Sequence, residues 1–123
     1  MAAWTSGELE RVAQAEELDL ASVRRDGTLR KPVTMWVVRH GDEIYVRSVN
    51  GRKSSWFRGA QVRHEARIKA GGVDKDVALV ETDGVTDELD TAYRTKYCHY
   101  AATIIDSITS PDARAATLRL VPS

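Results

Sequence analysis

Three short apolar segments within residues 18–49 constrain the fold more than any other feature of the sequence. The first two, residues 18–25 and 31–39, flank Asp26-Gly27, a pair typical of tight hairpin turns. A second turn at residues 40–42 leads into the third segment, residues 43–49. Short turns between consecutive strands predict an antiparallel meander. Residues 31–39 are largely apolar on both faces, which predicts a central strand.

The remaining segments alternate between helical and strand patterns. Thr5 and Glu8 have capping-box spacing, and they predict a helix that runs to about residue 16. We further predict a helix at 55–62, strands at 64–70 and 73–82, one long helix over 89–108 that ends at Ser110-Pro111, and a last strand at 116–122. This order predicts a single α+β domain over residues 1–123, built on a small barrel of about six antiparallel strands with flanking helices.

Composition excludes several classes of protein. No apolar run approaches the roughly 20 residues of a membrane-spanning helix, and the acidic, helical start does not read as a signal peptide. Cys98 is the single cysteine, so an internal disulfide is impossible, which fits the reducing cytoplasm. The three histidines and Cys98 share no metal-ligand spacing, and we therefore predict no metal site.

Charge is unevenly distributed along a chain whose net charge is zero. Residues 24–69 contain twelve Lys and Arg against four Asp and Glu, a net charge of +8, and the rest of the chain is correspondingly acidic. A basic half built from strands and loops suggests an anionic ligand.

The densest group of anion-binding side chains follows the third strand. Gly51 lets the backbone approach an anion closely, and a helix that begins near Ser54 or Ser55 would point its first amides at the same anion. We predict that this loop holds the phosphate of a bound cofactor. Its polar residues are Arg47, Ser48, Asn50, Arg52, Lys53, Ser54 and Ser55.

At this point the sequence resembles a known superfamily over roughly residues 17–82. The basic hairpin, the apolar strand at 33–38 and the strand at 43–48 resemble the flavin-binding split barrels, which include pyridoxamine-phosphate-oxidase-like proteins and deazaflavin-dependent nitroreductases. Within that superfamily the sequence is most similar to a small uncharacterised family. The resemblance implies a six-stranded split β-barrel, a homodimer, and a cofactor bound between the subunits.

The resemblance also implies roles for individual residues. The strand that carries the cofactor ring corresponds to Thr34, Met35 and Trp36. The strand end beside the ring and the ribityl chain corresponds to Arg47, Ser48 and Asn50. The phosphate positions correspond to Arg30, Arg52, Lys53 and Ser54, and Trp56 corresponds to the aromatic residue at the helix start. The C-terminal helix is unlike that of the nitroreductases, so the substrate class stays open.

Three functional hypotheses follow. The first is an oxidoreductase that uses FMN or a deazaflavin on a small organic substrate, with no catalytic side chain identified, since a redox cofactor would carry the chemistry. The second is a non-catalytic module that carries or senses a flavin, a deazaflavin or haem. The third is a nucleic-acid-binding barrel, which the sequence favours least, because it lacks repeated surface aromatics on which bases stack. The choice between FMN and a deazaflavin stays open.

Overall fold

The computed structural model describes residues 3–82 and 84–123 and contains one seven-stranded antiparallel sheet. Its strands lie in the order β2-β1-β5-β6-β7-β4-β3. The strands are β1 (Leu18–Ser22), β2 (Val33–Met35), β3 (Val38–His40), β4 (Glu43–Arg47), β5 (Glu65–Ala70), β6 (Val73–Glu81) and β7 (Thr117–Pro122). The helices are α1 (Ser6–Gln14), α2 (Ser55–Arg63), α3 (Thr86–Lys96), α4 (Ala102–Ile108) and α5 (Pro111–Ala115), with a 3₁₀ turn at Gly51–Lys53.

The predicted central strand at 31–39 is wrong, because this segment forms the two edges of the sheet. β2 pairs with β1, where Leu18 lies opposite Met35, and β3 pairs with β4, where Val38 lies opposite Tyr45. β2 and β3 are almost contiguous in the chain but lie at opposite ends of the strand order. The sheet must therefore curl until its edges approach each other, and residues 36–37 form the crossover between them. If the two fragments are counted as one bent strand, the predicted six strands are recovered.

The start of the chain follows its local sequence signals. The Thr5 hydroxyl accepts a hydrogen bond from the Glu8 amide, and the Glu8 carboxylate accepts one from the Thr5 amide, which confirms the predicted capping box. Trp4 is buried, and its indole Nε1 donates to the Leu120 carbonyl at 2.9 Å. α1 is thereby fixed against β7.

Two hydrophobic clusters stabilise the fold. The larger lies between the sheet, α1 and α2, and includes Leu18, Ile44 and Phe57. The smaller lies between α3 and the β3–β4 edge, and includes Val38 and Tyr93. The site described below lies beside the second cluster.

The predicted long helix over 89–108 is also wrong. α3 ends at Lys96, α4 begins at Ala102, and a third helix, α5, begins at Pro111. Ser110 caps α5, since its hydroxyl accepts from the Ala113 amide at 3.2 Å. Proline is favoured in the first turn of a helix. Ser110-Pro111 therefore begins α5, and it also separates α5 from α4. Among the described residues, no helix is long and apolar enough to cross a membrane.

Candidate functional site

A cleft of about 310 Å³ opens where β2, the crossover, the loop after β4, the start of α2 and α4 meet. Its walls are mostly apolar. It is lined by Val33, Thr34, Met35, Trp36, Arg47, Val49, Asn50, Trp56, Ile104, Ser107 and Ile108. The structure thus brings together all three residues assigned to the ring strand with Asn50 and Trp56.

A second, more open hollow shares part of the wall of this cleft. Asn50 and Trp56 line both, and the hollow adds Lys53, Ser54 and Ser55. Lys53 is exposed and forms no ion pair with any described residue. The apolar cleft therefore continues into a region that carries a free ammonium group.

The start of α2 lies at this hollow, as the sequence predicted. Ser54 is the N-cap, and its hydroxyl accepts from the Phe57 amide at 3.4 Å. The Ser48 and Ser54 hydroxyls lie 2.7 Å apart, so buried Ser48 holds the cap rather than lining the hollow. The first amides of a helix have no acceptor within it and attract anions. Ser55 and Trp56 supply these amides here.

Arg47 lines the cleft beside the ring strand, but its charge is already paired inside the protein. Its side chain is fully buried, and Nη1 lies 2.5 Å from the Asp90 carboxylate. The other guanidinium nitrogens donate to the Thr117 hydroxyl at 3.2 Å and to the Thr86 carbonyl at 3.1 Å. Asp90 also pairs with Arg114. Arg47 contributes to the cleft wall, but its charge is neutralised inside the protein.

The pKa of Asp90 reflects this network. Burial alone would raise the pKa, but the hydrogen bonds from Arg47 and Arg114 outweigh burial and hold it below its usual value. Asp90 is therefore ionised at neutral pH. A buried ion pair of this kind ties β4 to α3 and α5.

Two other predicted phosphate ligands lie outside both hollows. Arg52 forms an ion pair with Glu81 at 2.7 Å and donates to the Ala115 carbonyl at 3.1 Å. Arg30 packs on α2, where its Nε would lie 2.9 Å from a Cβ added at Gly59, and this Nε is buried without a partner among the described residues. Arg30 thus packs on the middle of α2 and Arg52 lies just before its start, and neither lines the cleft.

Trp36 stacks on a residue that the sequence did not assign to the site. Its ring centroid lies 3.9 Å from that of Tyr97, and the planes are 3° apart. Tyr100 contacts the same indole at 4.9 Å. Trp36 is half-buried, so it serves both as core packing and as cleft wall.

The structure adds a wall that sequence reasoning missed. Ile104, Ser107 and Ile108 of α4 face the cleft, and Val49 lies at its rim. Residues 104–108 were predicted only as part of one long helix, and Val49 as the end of the third segment, whereas Ile104 is 46% exposed and Val49 is 47% exposed. Contiguous exposed apolar surface along a cleft is one mark of a ligand-binding groove.

Part of the basic half of the chain is paired with acids in the folded structure. Arg67 pairs with Asp74 at 2.7 Å and with Asp76 at 3.0 Å, and Lys69 lies 3.8 Å from Asp74. These acids belong to the acidic half of the sequence, and the β5–β6 hairpin places them beside the bases. The segregation of charge along the chain is thus partly cancelled in space.

Comparison with solved structures confirms the split-barrel fold. The haem storage protein HutZ from Vibrio cholerae is 16% identical, with 96% of this chain and 89% of that chain covered and a TM-score of 0.63. An F420 reductase is 15% identical, with 98% and 96% covered and a TM-score of 0.61. A pyridoxamine 5′-phosphate oxidase-related, FMN-binding protein from Nostoc punctiforme is 14% identical, with 99% and 81% covered and a TM-score of 0.54.

Sequence comparison defines the family more narrowly. No curated protein sequence matches the chain. A family model matches residues 8–120, nearly the whole chain, and is described as an uncharacterised protein conserved in bacteria (DUF2255). The chain therefore belongs to this bacterial family and has the fold of the flavin-binding split barrels.

Proposed function

We propose that the cleft binds a flavin or a deazaflavin, and that the protein is an oxidoreductase acting on a small organic substrate. One observation carries the proposal: an apolar cleft lined by Trp36 and Trp56 continues into a hollow at the start of a helix, and this hollow contains the ammonium of Lys53, which is paired with no described carboxylate. A cofactor with a flat apolar ring and a phosphate tail matches this arrangement, with the ring in the cleft and the phosphate in the hollow.

The ring would lie against β2. Because β2 is an edge strand, it pairs with β1 on one side only and leaves backbone N–H and C=O groups free on the other. The Thr34 hydroxyl donates to Asp19 at 2.6 Å, so this side chain is already engaged on the β1 side. Main-chain groups on the unpaired side of β2 would then recognise the polar edge of the ring.

The phosphate would lie at the start of α2. Lys53 supplies charge, Asn50 an amide, and Ser55 and Trp56 the first helical amides. The Ser48–Ser54 hydroxyl pair fixes this turn. Arg30 and Arg52 lie outside the two hollows, so we do not assign them to the phosphate.

The bound cofactor would supply the hydride chemistry, and the chain would supply position. Among the described residues that line the cleft, the one ionisable side chain is Arg47, and it is paired with Asp90. The walls can thus bind, orient and exclude water, which is the division of labour in cofactor enzymes. The α4 side of the cleft, at Ile104 and Ser107, is where a substrate would lie.

The structural neighbours support a cofactor-binding role and leave the type of cofactor open. One neighbour is an F420 reductase and another binds FMN, which favours the oxidoreductase. A third is a haem storage protein, which keeps a non-catalytic carrier as the second candidate. The single cysteine suits a cytoplasmic protein, and the resemblance suggests a homodimer, which light scattering would test.

The test is a titration of the purified protein with FMN, with a deazaflavin and with haem, followed by fluorescence and absorbance. We expect saturable binding of FMN or of the deazaflavin, and reduction of the bound ring by a hydride donor. Tight binding without reduction or turnover on a panel of small organic acceptors would favour the carrier, and binding of none of the three would refute the cleft assignment.

Lys53→Ala tests the phosphate site within the same titration. We expect the affinity for the phosphorylated cofactor to fall about tenfold, because one charge-assisted contact is lost. Lys69→Ala is the matched control, since Lys69 is also an exposed lysine but lies on β5 beside Asp74. Equal effects of the two substitutions would mean that general charge, rather than this site, governs affinity.

A further inference from the structure

The crossover between β2 and β3 contains backbone groups that the neighbouring strands do not hydrogen-bond. Positions 36 and 37 belong to neither of the two described ladders, yet Val37 is fully buried. A buried backbone N–H or C=O without a partner costs free energy comparable to a lost hydrogen bond. Groups outside the sheet must therefore satisfy the Val37 peptide groups.

Side chains at the end of α3 meet this need. The Val37 amide donates to the Tyr97 hydroxyl at 3.1 Å, and the same hydroxyl donates to the Glu16 carbonyl at 2.8 Å. The Lys96 ammonium donates to the Val37 carbonyl at 2.6 Å. Tyr97 thus joins the crossover to the segment before β1, and its hydroxyl uses both its acceptor and its donor capacity.

The ring of Tyr97 packs against Trp36, the residue that precedes Val37 in the chain. It lies parallel to the Trp36 indole at 3.9 Å, so it covers one face of that indole. The atoms by which Trp36 lines the cleft must then belong to its other face or to its edge. The orientation of this cleft wall is set from behind by Tyr97.

We propose that Tyr97 is a positioning residue: its hydroxyl fixes the backbone of the β2–β3 crossover and its ring fixes Trp36, so that β2 and Trp36 together form a rigid bed for the cofactor ring. The inference rests on the proposed function, since it assigns Tyr97 a role toward that cofactor without contact to it. Loss of these Tyr97 contacts should leave the phosphate site at Lys53 and the start of α2 unchanged.

The test compares Tyr97→Phe with Tyr93→Phe. Both remove a buried hydroxyl, at Tyr93 on α3 and at Tyr97 just after its end, but the Tyr93 hydroxyl has no partner with hydrogen-bond geometry among the described residues. Three quantities are measured: hydrogen exchange of the Val37 amide, the NMR signal of the Trp36 indole, and the affinity for two ligand pairs. The pairs are riboflavin with FMN, and 5-deazariboflavin with its 5′-phosphate.

In Tyr97→Phe we expect exchange of the Val37 amide to rise by about tenfold and the Trp36 signal to shift. Affinity should fall by a similar factor for the phosphate-free and the phosphorylated ligand, so their ratio stays constant. Lys53→Ala should lower the affinity for the phosphorylated ligand and leave the affinity for the phosphate-free ligand unchanged, so that the ratio changes. Tyr93→Phe should resemble the wild type in all three measurements. A general loss of stability would raise amide exchange throughout the sheet, whereas loss of the Tyr97 contacts should raise it at Val37.

Wild-type affinity in Tyr97→Phe, despite faster Val37 exchange, would overturn the inference, and so would an unchanged Trp36 signal. If Tyr97→Phe does not fold, Lys96→Met removes the other donor to Val37 and should give a smaller loss of affinity with the same constant ratio; a changed ratio would overturn the inference. Failure of the proposed function is distinguishable, because the wild type would then bind neither pair. In that case the exchange and the Trp36 signal still decide whether Tyr97 holds the crossover.

Discussion

The two ends of the loop after β4 have similar residues and opposite environments. At one end, Arg47 and Ser48 are buried, and each is fully engaged with the protein. At the other, Asn50 and Lys53 are exposed and line a hollow. Each end carries a cation and a polar side chain close together in the sequence. From the sequence alone, both ends were therefore predicted to bind the cofactor.

The difference arises from what packs on each end. α3 brings Asp90 and α5 brings Arg114 against Arg47, whereas the Lys53 side of the loop faces solvent. A buried cation needs a permanent counter-ion, because taking it out of water costs several kcal/mol. A cation that must bind a ligand reversibly has to stay free. Burial, and not charge, separates the structural end from the candidate binding end.

The largest effect should come from breaking the buried end. Asp90→Ala leaves Arg47 buried without its counter-ion and Arg114 without its partner, and we expect the free energy of unfolding to fall by about 3–5 kcal/mol. Urea denaturation measures this. Asp87→Ala is the control on the same helix, where an exposed first-turn acid contributes at most about 1 kcal/mol. An equal loss in both variants would contradict the division between the two ends.

The same pair predicts an acid dependence. The folded-state pKa of Asp90 is lowered, so its contribution is fully present above its ordinary value of 3.8 and is lost as the pH falls through the lowered pKa. The difference in unfolding free energy between wild type and Asp90→Ala should therefore shrink below about pH 4. A difference that stays constant to pH 2 would indicate that Asp90 stabilises the fold without its charge.

Lys96 sharpens the comparison, since it is a partly buried cation that lacks a buried carboxylate. Burial lowers the pKa of Lys96 to about 8 from 10.5, although Glu16 opposes the shift. Between these two values the unfolded chain binds the proton that the folded chain has lost, so stability rises with pH, by up to about 3 kcal/mol. Lys96→Met should remove this rise, and Lys31→Met, at an exposed lysine, should keep it. Parallel pH profiles for wild type and Lys96→Met would disprove the shift.

Local signals predicted the elements whose partners are near in sequence. The capping box at Thr5 and Glu8 predicted α1, and the two adjacent strand segments at 64–70 and 73–82 form the β5–β6 hairpin. The crossover was not predictable in this way. Residues 33–38 are apolar on both faces because Val37 packs in the larger cluster and Val38 in the smaller. A central strand covered on both faces would have the same sequence pattern. Only the tertiary arrangement distinguishes these two cases.

The cleft lies beside the ring strand and the loop after β4, where the sequence predicts the site, although several of the predicted residues do not line it. The sequence could not show which cations are paired, because Arg47 depends on Asp90, 43 residues away, and Arg52 on Glu81, 29 residues away. Tyr97 was predicted only as part of the long helix over 89–108, and its role was not predictable because its hydrogen bonds reach Val37 across 60 residues.

The smallest effect is expected at Arg52, and it tests the comparison at its most sensitive point. Arg52 is next to Lys53 in the chain, but its guanidinium pairs with Glu81 at 2.7 Å across a solvent-exposed surface. Exposed pairs contribute at most about 1 kcal/mol, so Arg52→Ala should barely change the free energy of unfolding. Its affinity for FMN should stay within about twofold of wild type, against about tenfold for Lys53→Ala.

Parallel FMN titrations of Arg52→Ala, Arg52→Lys and Lys53→Ala provide the measurement, and Arg52→Lys keeps the charge while it changes the geometry. If Arg52→Ala weakened binding as much as Lys53→Ala, an ion-paired cation would be able to exchange its partner for a phosphate. Burial would then remain a barrier for Arg47, but pairing at the surface would not. If only Lys53→Ala weakens binding, a cation in this loop must be both exposed and unpaired to hold the ligand, and Lys53 is the one described residue of the loop that meets both conditions.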